Sequence, residues 1–178
     1  MAADKTNTPE EIVDVVDEND RVIGQATKGE VNSNPKIIHR EIGILIYNEQ
    51  GKVYIQQRSM KKRMLPGFWI ESVAGHIPTG MDPAEGAHKE LIEELGFDTE
   101  LQFRKKTLIS YPTETFFEYL YSGKFPPNQN IKLDPNEAQQ GRFVGKKELE
   151  EMLMAEEMFD EYSLADIKEF LNSNIPAF

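Results

Sequence analysis

The sequence predicts an α/β (α+β) fold, a single domain in which a mixed β-sheet is flanked by helices. Three observations carry that prediction. Short alternating or wholly apolar runs recur between about residues 12 and 144, one strongly capped helix interrupts them, and two amphipathic helices follow them. A length of 178 residues suits one domain with short extensions.

Taken in order, residues 1–9 are polar, end in Thr8-Pro9 and lack apolar periodicity, so they read as a flexible N-terminal tail before a domain over 10–178. EIVDVVDENDRVIGQ holds two short alternating runs around Asn19-Asp20, which predicts a hairpin over roughly residues 12 to 25. A second hairpin pairs a buried strand, Ile42 to Tyr47, with Val53 to Gln57 across a turn at Asn48 to Gly51. KKRMLPGFW is basic and then turn-forming, and Phe68 to Val73 reads as a strand that ends at Ala74-Gly75. Asp82-Pro83-Ala84-Glu85 is a helix start, with Asp82 as N-cap, Pro83 in the first helical position and Glu85 placed to close a capping box. Ala84, Ala87, Leu91 and Leu95 make one face of that helix apolar, and Gly96 stops it. Strands are expected at Leu101 to Ile109, Thr115 to Tyr121 and Gln140 to Val144, with the Pro- and Asn-rich stretch GKFPPNQNIKLDPNEA as a loop. Lys146 to Ala155 and Ser163 to Asn172 carry apolar residues at helical spacing; their exposed Met and Phe could also pack on a second copy.

Composition narrows the function. There is no cysteine, which excludes disulfides, thiolate zinc sites and a Cys nucleophile. Apolar stretches fall short of the roughly 20 residues of a bilayer span, and the start, MAADKTNTPEE, has no basic region or apolar core of a signal peptide. A cytoplasmic protein without membrane or nucleic-acid polymer partners is therefore expected. The formal charge of −11 repels phosphorylated ligands unless a cation intervenes.

Such a cation has candidate ligands. Glu90, Glu93 and Glu94 lie at i, i+3 and i+4 of the central helix, where like charges cost roughly 0.2–0.5 kcal/mol per pair. Two of them fall in the last turn, where the helix dipole also disfavours anions. Hard divalent cations resolve the conflict, because Mg²⁺ binds through one or two carboxylates and bridges to substrate phosphates. Alone, such a cluster reads as a solvated acidic face. Its context adds a glycine-bounded loop, Gly75-His76-Ile77-Pro78-Thr79-Gly80, directly before the helix.

The whole segment, GHIPTGMDPAEGAHKELIEELGF from Gly75 to Phe97, resembles the Nudix box, G x5 E x7 R E U x E E x G U with U bulky and apolar. The spacing matches without a gap. Met81 replaces the first Glu of the pattern, and Lys89 replaces its Arg, keeping a charge that can pair with Glu93 but losing the bidentate fork. Between about residues 11 and 150 the chain further resembles the Nudix branch of isopentenyl-diphosphate isomerases and their hydrolase-like relatives, in EIVDVVDENDRVIG, His39-Arg40, QQRSMKKRMLPGFW, ESVAGH and DPNEAQQGRFVGKKELEEM. Where those isomerases carry a catalytic Cys before Gly-His, this chain has Ala74.

The resemblance implies an α/β/α sandwich and a Mg²⁺- or Mn²⁺-dependent hydrolase. Its substrate would be a small molecule, a nucleoside diphosphate linked to another group X, cleaved at the diphosphate. Glu90, Glu93 and Glu94 with Lys89 would be catalytic, and the three carboxylates with the Gly75 carbonyl would hold metal. His39 and His76 match isomerase metal-ligand positions and are candidate substrate contacts, together with Arg58 and Lys62 from the basic cluster that also holds Lys61 and Arg63. Glu114, Glu118 and Glu137 are candidates for a general base, and Phe68 and Trp69 for stacking on a nucleobase. The alternatives are a catalytically weakened nucleotide-binding module, in view of Met81 and Lys89, and an isomerase, which Ala74 opposes.

Overall fold

The computed structural model describes residues 10–173, so the segment read as a tail lies outside the described residues. The first hairpin forms as expected from β1 (Ile12–Val16) and β2 (Val22–Thr27). In its turn the Asp17 carboxylate accepts from Asn19 N and Arg21 N, each at 2.9 Å. A one-turn helix, α1 (Lys28–Val31), follows; Thr27 and Glu30 close a reciprocal capping box around it, a Thr-x-x-Glu signal without an apolar run to advertise it.

β3 (Ile38–Tyr47) and β4 (Val53–Arg58) form the second hairpin. β3 begins four residues before its apolar run, since polar His39, Arg40 and Glu41 also join the ladder. The strand expected over Phe68 to Val73 is two strands, β5 (Trp69–Ile70) and β6 (Val73–His76). The break has a physical cause. β5 pairs with β4 and β6 with β3, and between them the Ser72 hydroxyl donates to Tyr54 O and accepts from Ile46 N. α2 (Pro83–Leu95) starts where expected, but the cap bond runs from Ala84 N to Asp82 Oδ1 at 2.8 Å rather than through a box with Glu85. Gly96 ends it at φ 79°, a left-handed conformation that glycine adopts without strain. β7 (Leu101–Ser110), β8 (Thr115–Lys124), β9 (Ala138–Val144), α3 (Lys146–Met154) and α4 (Glu161–Asn172) complete the chain.

The nine strands of the described residues belong to one mixed sheet. β3 is its hub, parallel to β8 from Ile38↔Thr115 to Tyr47↔Lys124 and antiparallel to β6 from Glu41↔His76 to Ile44↔Val73. β7 extends the sheet beyond β8, and β9 pairs with β4. Alternation along β3 sends Ile42, Ile44 and Ile46 to one face, where they pack with Ala87, Leu91 and Leu95 of α2. Leu45 points the other way, to a cluster with Ile55, Trp69 and Leu120 that Leu149 and Met152 of α3 and Ile167 and Phe170 of α4 cover. The result is three layers, α2, sheet and the α3–α4 pair, with each fully buried Leu or Ile contributing about 1.5–3 kcal/mol.

The apolar stripes of α3 and α4 pack on the chain's own sheet, and Met154 and Met158 stay exposed. One expectation changes with this packing. Trp69 is 1% exposed and its indole N–H donates to Glu157, so it is core and cannot stack on a base. No described helix is long and apolar enough to cross a membrane.

Close packing also yields a stability prediction. A Cβ on Gly141 of β9 would lie 2.0 Å from the Tyr54 hydroxyl and 2.4 Å from Cζ, and that ring is held in the core. Gly141→Ala is expected to destabilise the protein by about 1–3 kcal/mol. A urea titration checks it through a lower midpoint at unchanged slope.

Candidate active site

The predicted carboxylates come together at the junction of β6 and α2. A Cβ on Gly75 would stand 2.6 Å from Glu90 Oε2 and 2.8 Å from Glu90 Cγ, so any side chain there would displace the Glu90 side chain from its place. The Glu90 carboxyl thus lies against the Gly75 peptide. One turn on, Glu94 is buried and accepts from Gln56 Nε2 at 2.8 Å. Burial pushes its carboxyl up to about 8, and the neighbouring charges of Glu137 and Glu90 add to the shift. Burial raises Glu90 as well, against the pull of Lys89. Glu93 is the exposed member, and Lys89 Nζ bridges Glu90 at 2.8 Å and Glu93 at 2.9 Å. The i+4 pair expected from sequence is present, and the ammonium serves both carboxylates. Met81 packs its side chain against the apolar cluster under α2.

Gly75, Lys89, Glu90, Glu93 and Glu94 line a cavity of about 520 Å³. The same cavity is lined by Arg58 at the end of β4 and by Lys61, Lys62 and Arg63 from the loop that follows. That loop is tied to the segment before β9 by an ion pair of Lys62 with Glu137, a bond from Lys61 Nζ to Asn136 Oδ1 at 3.2 Å, and Ser59 N donating to Glu137 O at 2.8 Å. Carboxylates and cationic groups therefore face one space, which suits a ligand whose anionic charge is shared between metal and side chains. Hard oxygen donors clustered with a peptide carbonyl suit Mg²⁺ or Mn²⁺.

A second group lies where β3, β6 and the start of β8 meet. Donor atoms of His39, Glu41, His76 and Glu114 all lie within 4.8 Å of one another. Strand geometry accounts for it: His39 and Glu41 share one face of β3, and Glu41 is in register with His76. The two imidazoles stack at 5.0 Å, and Glu41 Oε1 is 3.1 Å from Nε2 of each. Asn32 Oδ1 lies 2.8 Å from His76 Nε2, while His39 Nδ1 is buried with no partner. Burial pushes His76 down to about 4 despite Glu41, leaving a neutral imidazole at pH 7. Burial opposes ionisation of Glu41, but the adjacent imidazoles outweigh it and hold the carboxyl low. Two imidazoles beside a carboxylate are a donor set for a divalent metal.

His39 is fully buried behind His76, so only His76 of the two reaches the cavity wall, and a direct substrate contact by His39 is corrected accordingly. Glu114 and Glu137 both line the cavity but at different poles, one with the histidines and one with Lys62. Sequence reasoning missed Glu41 and Asn32. The pattern His39-x-Glu41 within a strand was the available clue for the first; for Asn32, just after α1, there was none.

Under the start of α4, on the same cavity, lies a buried acidic network. Ser163 Oγ lies within hydrogen-bond distance of Glu71 and Asp160, the Tyr111 hydroxyl donates to Asp160 at 2.6 Å, and Glu118 Oε2 is buried without a partner. Burial pushes the Glu71 carboxyl up to about 7 from 4.5. The folded chain therefore holds this proton where the unfolded chain releases it. Its contribution is complete below about pH 4.5 and is lost as pH rises through about 7. Glu71→Gln should flatten the fall in stability over that window by about 1–3 kcal/mol, measured by chemical denaturation at a series of pH values.

Comparison with known proteins agrees with this architecture. The NUDIX domain model matches residues 37–166. The chain belongs to the Nudix family. Among curated Nudix relatives, the isopentenyl-diphosphate Delta-isomerase of Streptomyces coelicolor is 30% identical over 147 residues, covering 79% of this chain and 74% of that protein. An uncharacterised Nudix hydrolase of Listeria monocytogenes is 28% identical over 160 residues, 90% of this chain and 95% of its own. Of solved structures, a Deinococcus radiodurans protein superposes with a TM-score of 0.75 at 22% identity over 89% of this chain and 98% of its own, a likeness of fold. In Nudix terms, the box spans β6, its following loop and α2.

Proposed function

We propose that this Nudix protein is a Mg²⁺- or Mn²⁺-dependent hydrolase that cleaves the diphosphate linkage of a nucleoside diphosphate joined to another group X. The observation that carries the reading is the packing of Glu90 on Gly75 beside buried Glu94, in one cavity with Arg58 and Lys62. Glu90, Glu93, Glu94 and the Gly75 carbonyl would hold the cation, whose chemistry is to neutralise phosphate charge and make water a stronger acid. The chain's own residues do the rest. Gln56 orients Glu94, Gly75 leaves Glu90 room, and Lys89 spans Glu90 and Glu93. Arg58 and Lys62 receive the phosphates, Arg58 with a fork and Lys62 as a point charge. Glu137 is our choice among candidate bases, because it lies beside both Lys62 and Glu94.

Incubation with a panel of nucleoside diphosphate derivatives and Mg²⁺ or Mn²⁺ tests the reading. Turnover in the wild type that disappears in Glu93→Gln supports it; absence of any turnover overturns it and leaves a binding module.

A second reading has one specific observation in its favour: the histidine–carboxylate group occurs in a chain whose relatives include proteins named as isomerases of isopentenyl diphosphate. Ala74 stands against it, since the thiol of those enzymes is missing. Incorporation of deuterium from D₂O into a prenyl diphosphate would favour the isomerase, and its absence the hydrolase.

A further inference from the structure

The six residues between β6 and α2, 77–82, decide where α2 begins, and so where Glu90 and Glu94 stand relative to Gly75. The box pattern has a Glu at position 81, but Met81 is turned into the apolar cluster and brings no carboxylate to this loop. One reaches it from a different strand. Asp14 of β1 accepts from Gly80 N through Oδ2 at 3.0 Å and from the Thr79 hydroxyl through Oδ1. The same Thr79 oxygen accepts from Gln25 Nε2 at 2.6 Å, and Gln25 is the direct cross-strand partner of Asp14 in the first hairpin. Backbone contacts run in parallel: Thr79 N donates to Ile12 O at 2.9 Å, and Val13 bridges to Pro78.

We propose that Asp14 is a positioning residue of the hydrolytic site, supplying from β1 the carboxylate that holds the loop so that Glu90 seats on Gly75. The proposal rests on the hydrolase reading above. The physical case is that a carboxylate accepting a backbone N–H and a hydroxyl makes charge-assisted bonds, the stronger kind, and that it grips two consecutive loop residues. Gly80, at φ 72°, lets the chain turn between that grip and the N-cap at Asp82. The tolerance at the far end is small, because Gly75 and Glu90 are already in contact. Asp14 touches neither metal nor substrate; it acts through the loop.

The test uses the full chain and two readouts. Electron paramagnetic resonance titration with Mn²⁺ alone measures the binding that Glu93→Gln removes, and steady-state kinetics separates kcat from KM. Asp14→Ala is expected to weaken that Mn²⁺ binding and lower kcat by about 10-fold each, in the range of losses seen when a partner of a metal ligand is removed, with KM little changed. Asp14→Asn keeps an acceptor and should recover much of the loss. Thr79→Val removes one arm with Asp14 intact, should show a smaller loss in the same direction, and carries the test if Asp14→Ala does not fold. Unchanged Mn²⁺ affinity and kcat in the variants that fold would overturn the proposal, whereas activity abolished in Glu93→Gln alone would leave the hydrolase reading standing. Mn²⁺ binding that depends on Asp14 in a protein without turnover would uphold the positioning role and sink the hydrolase reading.

Discussion

Glu94→Gln is expected to lower turnover by on the order of 10²- to 10³-fold, the scale of removing one preorganised electrostatic group from a reaction site, while the metal-free protein becomes more stable. The two effects share a cause. Glu94 is buried with one side-chain partner, Gln56, and desolvating a carboxylate is costly unless a counter-charge or several hydrogen bonds compensate. Glutamine has nearly the same shape and keeps an oxygen for Gln56, so removing the ionisable group relieves the penalty. A thermal or urea melt in chelator, set beside initial rates with Mg²⁺, checks both halves. A variant that lost activity and stability together would point to a structural role for this carboxyl group.

Gly75→Ala should separate fold from chemistry more sharply. The added methyl would meet the Glu90 side chain at 2.6–2.8 Å. That side chain is flexible and lines the cavity, so it can swing away at modest cost to stability, about 1 kcal/mol. It cannot do so and keep its carboxyl on the Gly75 peptide. Cation binding and turnover should therefore fall by about 10²-fold with the melting midpoint little moved. Isothermal titration with Mn²⁺ and a melt on the same preparation suffice.

The contrast between what the residues announced and what they concealed has a physical pattern. α2 was legible to the residue because Asp82, Pro83 and Gly96 each act locally, and the strands with wholly apolar runs were legible for the same reason. The break between β5 and β6 was not, since it depends on Ser72 bonding to two strands distant in sequence. At the site, the Glu90–Glu94 cluster follows from helical spacing alone, and its pairing with Gly75 from the motif. The histidine–carboxylate group required knowing that β3 lies beside both β6 and β8, which no local pattern encodes. Likewise, the core role of Trp69, offered from sequence as a candidate for stacking on a base, depends on α3 and α4 closing over its face of the sheet.

The excess of acid has a matching resolution. Several of the carboxyl groups behind the charge of −11 face one cavity together with the cations of the loop after β4. Phosphate binding there should be conditional on a divalent cation. The most direct measurement is release of a nucleoside monophosphate from nucleoside diphosphate derivatives, followed with Mg²⁺, with Mn²⁺ and with chelator, for wild type and Glu93→Gln side by side. Cation-dependent release by the wild type that is absent from Glu93→Gln is the predicted result. No release under any condition, or equal release by the two proteins, would contradict it.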